Sequence, residues 1–373
     1  MNVKPVHVGV VGAGMISDIY LKNMINRFTI LKVDAICSKN GAHAKEKAKQ
    51  YGIRACTFEE MLEMKEIEMI VNLTPVPAHY DIIKRALLAG KHVYTEKVIT
   101  DSTGRAAELI ALAEEKGLYL GSAPDTFLGS SIQTVRKALD EGVIGEVTSC
   151  SVAANRDNRW LLSYFSFLRL PGAGICLDYG VYYMTALVSL LGPITRVGAF
   201  VRTPYPTCQN INPDSPEYGM DMENPNESQV SAVLKFAGGI TGTFHLDADS
   251  VGRDQAHMTI NGTKGMIYLG DPNQFGAPVC LLEHGNDAVK KELPVLHDFR
   301  DNSRGVGPAE MAWAIRSGRE NRANKELAYH VLEVLMAILS GGEEGAFTDI
   351  QSTCKRPDPM RPSDGMEENS LMQ

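Results

Sequence analysis

Val6-His-Val-Gly-Val-Val-Gly12-Ala-Gly14-Met15-Ile16-Ser17 decides the fold. A valine-rich run leads without a break into two glycines. Behind them Leu21, Met24, Ile25 and Phe28 recur at helical spacing within Asp18–Phe28. Strand, glycine turn and helix in that order make a dinucleotide-binding unit. Gly12 allows the tight turn, Gly14 lets backbone approach a pyrophosphate, and Ser17 is the small third residue that permits close helix–strand packing. Met15 and Ile16 complete the turn, and the helix N-terminus offers free N–H groups to phosphates.

Outward from this stretch, apolar strand-like runs alternate with helical patterns as far as Ala123. This is the signature of an α/β fold with a doubly wound parallel sheet. A second strand, Ile30–Cys37, ends in Ser38-Lys39, where such folds place the residue that meets the adenosine ribose. Serine brings no carboxylate to repel a 2′-phosphate and Lys39 can pair with one, so NAD and NADP both remain open. The strand Glu68–Leu73 stops at Thr74-Pro75, and His79 opens the next helix. Lys91–Tyr94 runs into Thr95-Glu96-Lys97. Both stops fall at the carboxyl edge of the sheet, where ligands bind in open α/β folds.

At 373 residues the chain is long enough for two domains. The expected boundaries are 1–123 for the dinucleotide-binding domain, 124–354 for a second α/β domain, and 355–373 for a loose polar tail. The net charge of −8 argues against nucleic-acid binding. Seven scattered cysteines without a C-x-x-C pair suit reduced thiols in a cytoplasm. No apolar run approaches the ~18 residues of a membrane span.

Beyond Pro124 the pattern changes to consecutive strands: Glu146–Ala154, Thr195–Arg202, Glu227–Phe236, Ile240–Ala248, and Met258–Ile260 with Met266–Leu269. Gly238-Gly239 and Asn261-Gly262 read as hairpin turns. A helix at Tyr179–Leu191 completes the expectation of a large open, mainly antiparallel sheet with helices on one face. Thr203–Pro225 reads as a long surface loop. Helices at Pro308–Ser317 and Lys325–Leu339 return to brace the sheet or the first domain. A metal site built from His245, Asp247, Asp249 and His257 lacks ligand spacing, and no metal is expected.

Two segments carry chemistry. Lys97 follows a strand on the cofactor side of the sheet. In Gly172-Ala-Gly-Ile-Cys-Leu-Asp178-Tyr-Gly180-Val-Tyr182-Tyr183, Asp178 and Tyr182 stand at i and i+4, on one helix face. Asp178 is equally well placed as a helix N-cap, and Tyr182 or Tyr183 as core aromatics.

The glycine turn, Thr74-Pro75 with His79, Glu96-Lys97 and Gly172–Tyr182 together resemble the signature motifs of the Gfo/Idh/MocA oxidoreductases, over about residues 5–350. The resemblance implies a Rossmann domain followed by an open-sheet domain, a nicotinamide cofactor, a sugar or polyol substrate, and a homodimer or homotetramer. Two positions depart from the family pattern. Val98 stands where proline is usual after the lysine, and Tyr182 where histidine is usual, as in members similar to glucose–fructose oxidoreductase and dihydrodiol dehydrogenase.

On this reading the cofactor is held by Gly12, Gly14, Met15, Ile16, Ser38, Lys39, Thr74, Pro75, His79, Glu96 and Lys97. Lys97, Asp178 and Tyr182 are the catalytic set: a secondary alcohol that gives up hydride must also lose its hydroxyl proton. Asp178 orients, and the proton carrier stays open between Lys97 and Tyr182. Substrate contacts are expected from Asp125, Asn155, Arg156, Asp157, Arg159, Trp160, Asp178 and Tyr182, with Trp160 stacking on a sugar face and His245 and Asp247 reaching the pocket. The expected activity interconverts a secondary hydroxyl and a ketone on a sugar, a glycoside (at C3 in some similar enzymes) or a polyol. The rivals are a redox-assisted glycoside-cleaving enzyme and a non-catalytic sugar or dinucleotide sensor.

Overall fold

A computed structural model of the chain describes residues 3–252, 256–285 and 289–372. The chain divides into two compact units: Met1–Gln133, Leu296–Tyr329 and Pro357–Gln373 form one, Thr134–Val295 and His330–Arg356 the other.

The first unit is built on a parallel sheet of β1 (Val6–Val11), β2 (Leu31–Cys37), β3 (Arg54–Ala55), β4 (Met69–Asn72), β5 (His92–Thr95) and β6 (Leu120–Ser122), in the order β3-β2-β1-β4-β5-β6. The crossovers are α1 (Met15–Asn26), α2 (Gly41–Tyr51), α3 (Phe58–Glu63), α4 (His79–Leu88) and α5 (Thr103–Lys116). Strand β4 is buried along its whole length and β1 at all but one position, as a sheet covered on both faces requires. Local signals set the helix ends. Asn40 and Ser102 accept N–H bonds at the starts of α2 and α5, and Gly52 and Gly117 close them in the left-handed conformation. α1 begins at Met15, earlier than its apolar spacing suggests, because it starts directly on Gly14. The strand order reverses between β1 and β4, so the glycine turn lies at the topological switch point.

The second unit carries β7 (Val147–Asn155), β8 (Ile194–Arg202), a short ribbon of β9 (Thr207–Gln209) and β10 (Asp221–Glu223), β11 (Gln229–Phe236), β12 (Thr241–Asp247), β13 (Ala256–Gly262), β14 (Gly265–Leu269), β15 (Val279–Glu283), β16 (Lys290–Glu292) and β17 (Ala346–Asp349). Among the described residues its large sheet runs β16-β15-β14-β13-β7-β12-β11-β8-β17. Every neighbouring pair is antiparallel except β7 with β12. The expected open, mainly antiparallel sheet is therefore present. Strict alternation of buried and exposed residues along β11 and β12 marks one covered face and one open face. Helices α6 (Ser130–Asp140), α7 (Asn158–Tyr164), α8 (Val181–Leu191), α9 (Val306–Ser317) and α10 (Lys325–Leu339) complete the fold. α8 is apolar all round and buried except at Leu191. Gly180 admits its first turn onto the sheet, since a Cβ there would stand 2.8 Å from Leu246 and 3.1 Å from Phe244.

Three expectations are corrected. The turn after β13 falls on Thr263-Lys264, not on Asn261-Gly262. Gly262 stays in the strand because a Cβ there would stand 2.2 Å from the Ile144 carbonyl oxygen. Residues 203–225, read as a long surface loop, contain the short β9–β10 ribbon. By packing, Pro124–Gln133, α9 and the chain end group with the first unit. The tail is docked, not loose. Glu367 pairs with Arg27 at 2.6 Å, Glu368 accepts from Thr29 Oγ1 and the Ile30 N–H, and Leu371 is fully buried.

Candidate active site

In the first unit, three loops leave the carboxyl edge of the sheet side by side. Gly12 has φ +112°, which L side chains rarely adopt, and a Cβ there would stand 2.8 Å from the Leu73 carbonyl group. A Cβ on Gly14 would meet nothing within 4 Å, so open space lies above that turn. Gly14 starts α1 with no side-chain cap, which leaves the first N–H groups for a ligand. Ser17 is fully buried and returns its hydroxyl to the Gly14 carbonyl at 2.6 Å. The geometry that a pyrophosphate turn needs is therefore built, and a nicotinamide dinucleotide fits these residues.

The second loop begins at Thr74, whose hydroxyl bonds Asn72 Oδ1 at 2.8 Å, and continues through the exposed Pro75. The third carries Glu96 and Lys97, with the Lys97–Val98 peptide cis. Glu96 spends both carboxylate oxygens inside the protein, accepting from Tyr20 Oη at 2.8 Å and from the Lys97 N–H at 3.0 Å. It thus sets the course of the backbone at Lys97. His79 is fully buried, and its ring bridges the carbonyls of Val98 (2.8 Å) and Thr74 (2.7 Å). Burial pushes its pKa down, against the two carbonyls, which favour the charged ring. Glu96 and His79 were expected to touch the cofactor. The structure uses the Glu96 side chain to hold the Lys97 backbone against Tyr20 of α1, and the His79 ring to tie the Thr74 and Lys97 loops together. At the end of β2, the Ser38 hydroxyl bonds the Asn40 carbonyl at 2.5 Å, while Lys39 is exposed.

In the second unit, Asp178 lies in a π-helical turn, Cys176–Gly180, that runs straight into α8. Such turns recur at functional sites. The helix is continuous through it, and the Asp178 N–H bonds the Gly174 carbonyl at 2.8 Å, so Asp178 is not an N-cap. Its carboxylate accepts from Arg156 Nη1 at 2.7 Å, and the Arg156 guanidinium lies over the Tyr179 ring at 3.9 Å. Tyr183 is fully buried and donates to Tyr179 Oη at 3.0 Å, which donates to Asp271 at 2.9 Å. Tyr183 and Tyr179 are thereby bonded within the protein, and Tyr182 stands in the first turn of α8.

Residues 6–123 match the family described as "Oxidoreductase family, NAD-binding Rossmann fold", and residues 132–268 match the "GFO/IDH/MocA C-terminal domain". The chain belongs to the Gfo/Idh/MocA oxidoreductases. It is 32% identical to the dTDP-3,4-didehydro-2,6-dideoxy-alpha-D-glucose 3-reductase of Streptomyces violaceoruber, over 54% of this chain and 59% of that one. It is 31% identical to the protein of the same name from Actinomadura kijaniata, over 92% and 97%. In fold it resembles levoglucosan dehydrogenase, solved with NADH and L-sorbose, with a TM-score of 0.79 and 18% identity over 93% and 99%. As in this family generally, the chain is an NAD(P)-dependent oxidoreductase.

Several of the residues expected at the substrate also make contacts within the protein. Asp125 is buried, and its Oδ2 accepts the N–H groups of Gly305 (3.0 Å) and Gly307 (3.1 Å) at the start of α9. Asp157 caps α7 by accepting the Trp160 N–H at 3.2 Å. Trp160 stacks on Tyr164 with ring centroids 5.1 Å apart. Asn155 donates to Ser250 Oγ at 3.4 Å, and Arg159 is exposed. His245 points to the open face of the sheet and bonds Ser231 at 2.9 Å. Sequence reasoning missed Glu227, whose carboxylate accepts the Cys176 N–H at 2.9 Å and thereby fixes the turn that bears Asp178. Gly174 was the available signal, since a Cβ there would stand 2.0 Å from that carboxylate.

Burial raises the Asp125 pKa from 3.8 to about 6, against Arg304 and the two N–H donors. Between those values the folded protein holds a proton that the unfolded chain has lost. Stability from this group is therefore greatest below pH ~4 and falls as pH rises towards ~6. Asp125→Asn is expected to flatten that slope, read from urea unfolding across the window.

Proposed function

We propose that the protein interconverts a secondary hydroxyl and a ketone on the ring of a sugar, glycoside or polyol. The observation that carries this reading is the meeting of the glycine turn, the Thr74 loop and Lys97 on one sheet edge, at the switch point. The names of the relatives supply the substrate class: the 3-reductases act on a hexose ring and levoglucosan dehydrogenase on a sugar. A bound nicotinamide supplies the hydride acceptor. Lys97 and Tyr182 handle the hydroxyl proton and the developing alkoxide charge, and Asp178, steadied by Arg156, orients the substrate. Ser38 and Lys39 place no carboxylate beside a 2′-phosphate, so NADP is accepted as well as NAD.

The test is a screen of sugars and glycosides for reduction of the nicotinamide, with mass spectrometry of the product. An intact keto-sugar is expected. Free aglycone, or no reduction with any member of the set, would overturn the reading.

We further propose a dimer or tetramer joined through the open face of the second unit's sheet. There Val233 and Phe347 flank Gly198 on neighbouring strands and are 47% and 68% exposed. Light scattering of the purified protein tests this, and a monomer at every concentration would refute it.

A further inference from the structure

Within the second unit, a cleft of about 270 Å³ is lined by Arg156, Asp178, Asn224 and Glu227, with Leu162 and Leu168 as an apolar wall. Its enclosed part has room for one water-sized group. Asn224 is 5% exposed. Its Oδ1 accepts the Asn226 N–H at 3.3 Å, which fixes which end of the amide is oxygen. The other end, Nδ2, is buried without a hydrogen-bond partner. Such an orphan donor is costly to bury, which argues that something fills it.

Glu227 supplies the complementary group. One oxygen, Oε1, accepts the Cys176 N–H at 2.9 Å. A carboxylate has acceptor sites beyond that bond, and Glu227 lines the cleft. A donor that needs an acceptor and a carboxylate with further acceptor capacity thus line one small cleft. A hydroxyl group is both at once. The leucine wall suits the C–H side of a sugar ring.

We propose that Asn224 and Glu227 form a socket for one hydroxyl of the substrate, adjacent to the hydroxyl that reacts. The proposal rests on the sugar or polyol reading above. Asp178 serves the reacting hydroxyl, so the socket reads its neighbour and acts as a specificity determinant. An analogue that lacks that hydroxyl would leave Nδ2 unpaired again, and sites built this way reject such analogues strongly.

The test uses methyl β-D-glucoside, methyl β-D-galactoside and their analogues lacking one ring hydroxyl each. Two readouts are taken: kcat/KM from nicotinamide reduction, and the rise in Tm that each sugar produces. The wild type is expected to reject one deoxy analogue by at least about 100-fold. Asn224→Asp keeps the acceptor for the Asn226 N–H and removes the donor; Glu227→Gln keeps the shape and removes the charge. Each is expected to reduce that ratio to within about tenfold while the ratios for the other analogues stay put. Asn224→Leu serves if the aspartate variant does not fold.

Nicotinamide reduction with the same ratios in all proteins would sink the socket and leave the redox reading standing, the space then holding water only. A sugar-dependent Tm rise that the deoxy analogue and the variants both lose, without any reduction, would keep the socket and sink the redox reading. No reduction and no Tm rise with any of these sugars would sink both.

Discussion

Lys97→Ala is expected to lower kcat by at least about 1,000-fold while leaving dinucleotide affinity within about threefold. General acid–base and charge-stabilising groups contribute on that scale. Most of the local frame survives the change. Glu96 bonds the Lys97 backbone N–H and His79 holds the Val98 carbonyl, so the loop keeps these anchors when the ammonium is gone. The checks are steady-state turnover with the best sugar found and a fluorescence titration of NAD and NADP. Full activity in the variant would remove Lys97 from the mechanism. Lost cofactor binding with turnover to match would make it a binding residue only.

Gly12→Ala is expected to abolish dinucleotide binding and to destabilise the fold by about 2–4 kcal/mol, from backbone strain and overpacking together. The new methyl would stand 2.8 Å from backbone atoms of Leu73, at a φ of +112° that alanine avoids. The obstacle is main chain of β1's neighbour, which cannot swing aside as a flexible side chain would. Gly14→Ala is the matched control: its methyl meets nothing within 4 Å, so the fold should keep its stability, and any loss of affinity reports on the ligand. Urea unfolding and cofactor titration read both variants. A Gly12→Ala protein of unchanged stability would show that the turn has slack.

The first unit was legible because its signals are local. Gly12 to Ser17, the Asn40 and Ser102 caps and the Gly52 and Gly117 stops each act within a few residues, and the alternation of strands and helices does the rest. What failed to show is long-range. Asp125 looked like a polar residue near a sugar, yet its partners lie at Gly305 and Gly307. The tail looked loose by composition, yet Glu367 and Glu368 find Arg27, Thr29 and Ile30. Asp178 stands in a helical turn, but its two supports, Arg156 and the Glu227 carboxylate, come from other segments of the chain. Sequence spacing carries no mark of such partners. Gly174 was the exception, a glycine kept small by a carboxylate 53 positions later.

The docked chain end bears on the order in which the protein is made. Arg27 and Ile30 are made before the second unit, and the glutamates that hold them after it. Leu371 fills its buried place only then. The nucleotide-binding sheet must therefore wait, with part of its surface bare, through the synthesis of the entire second unit. A nascent chain stalled before residue 357 would carry a complete set of strands and an unfinished domain.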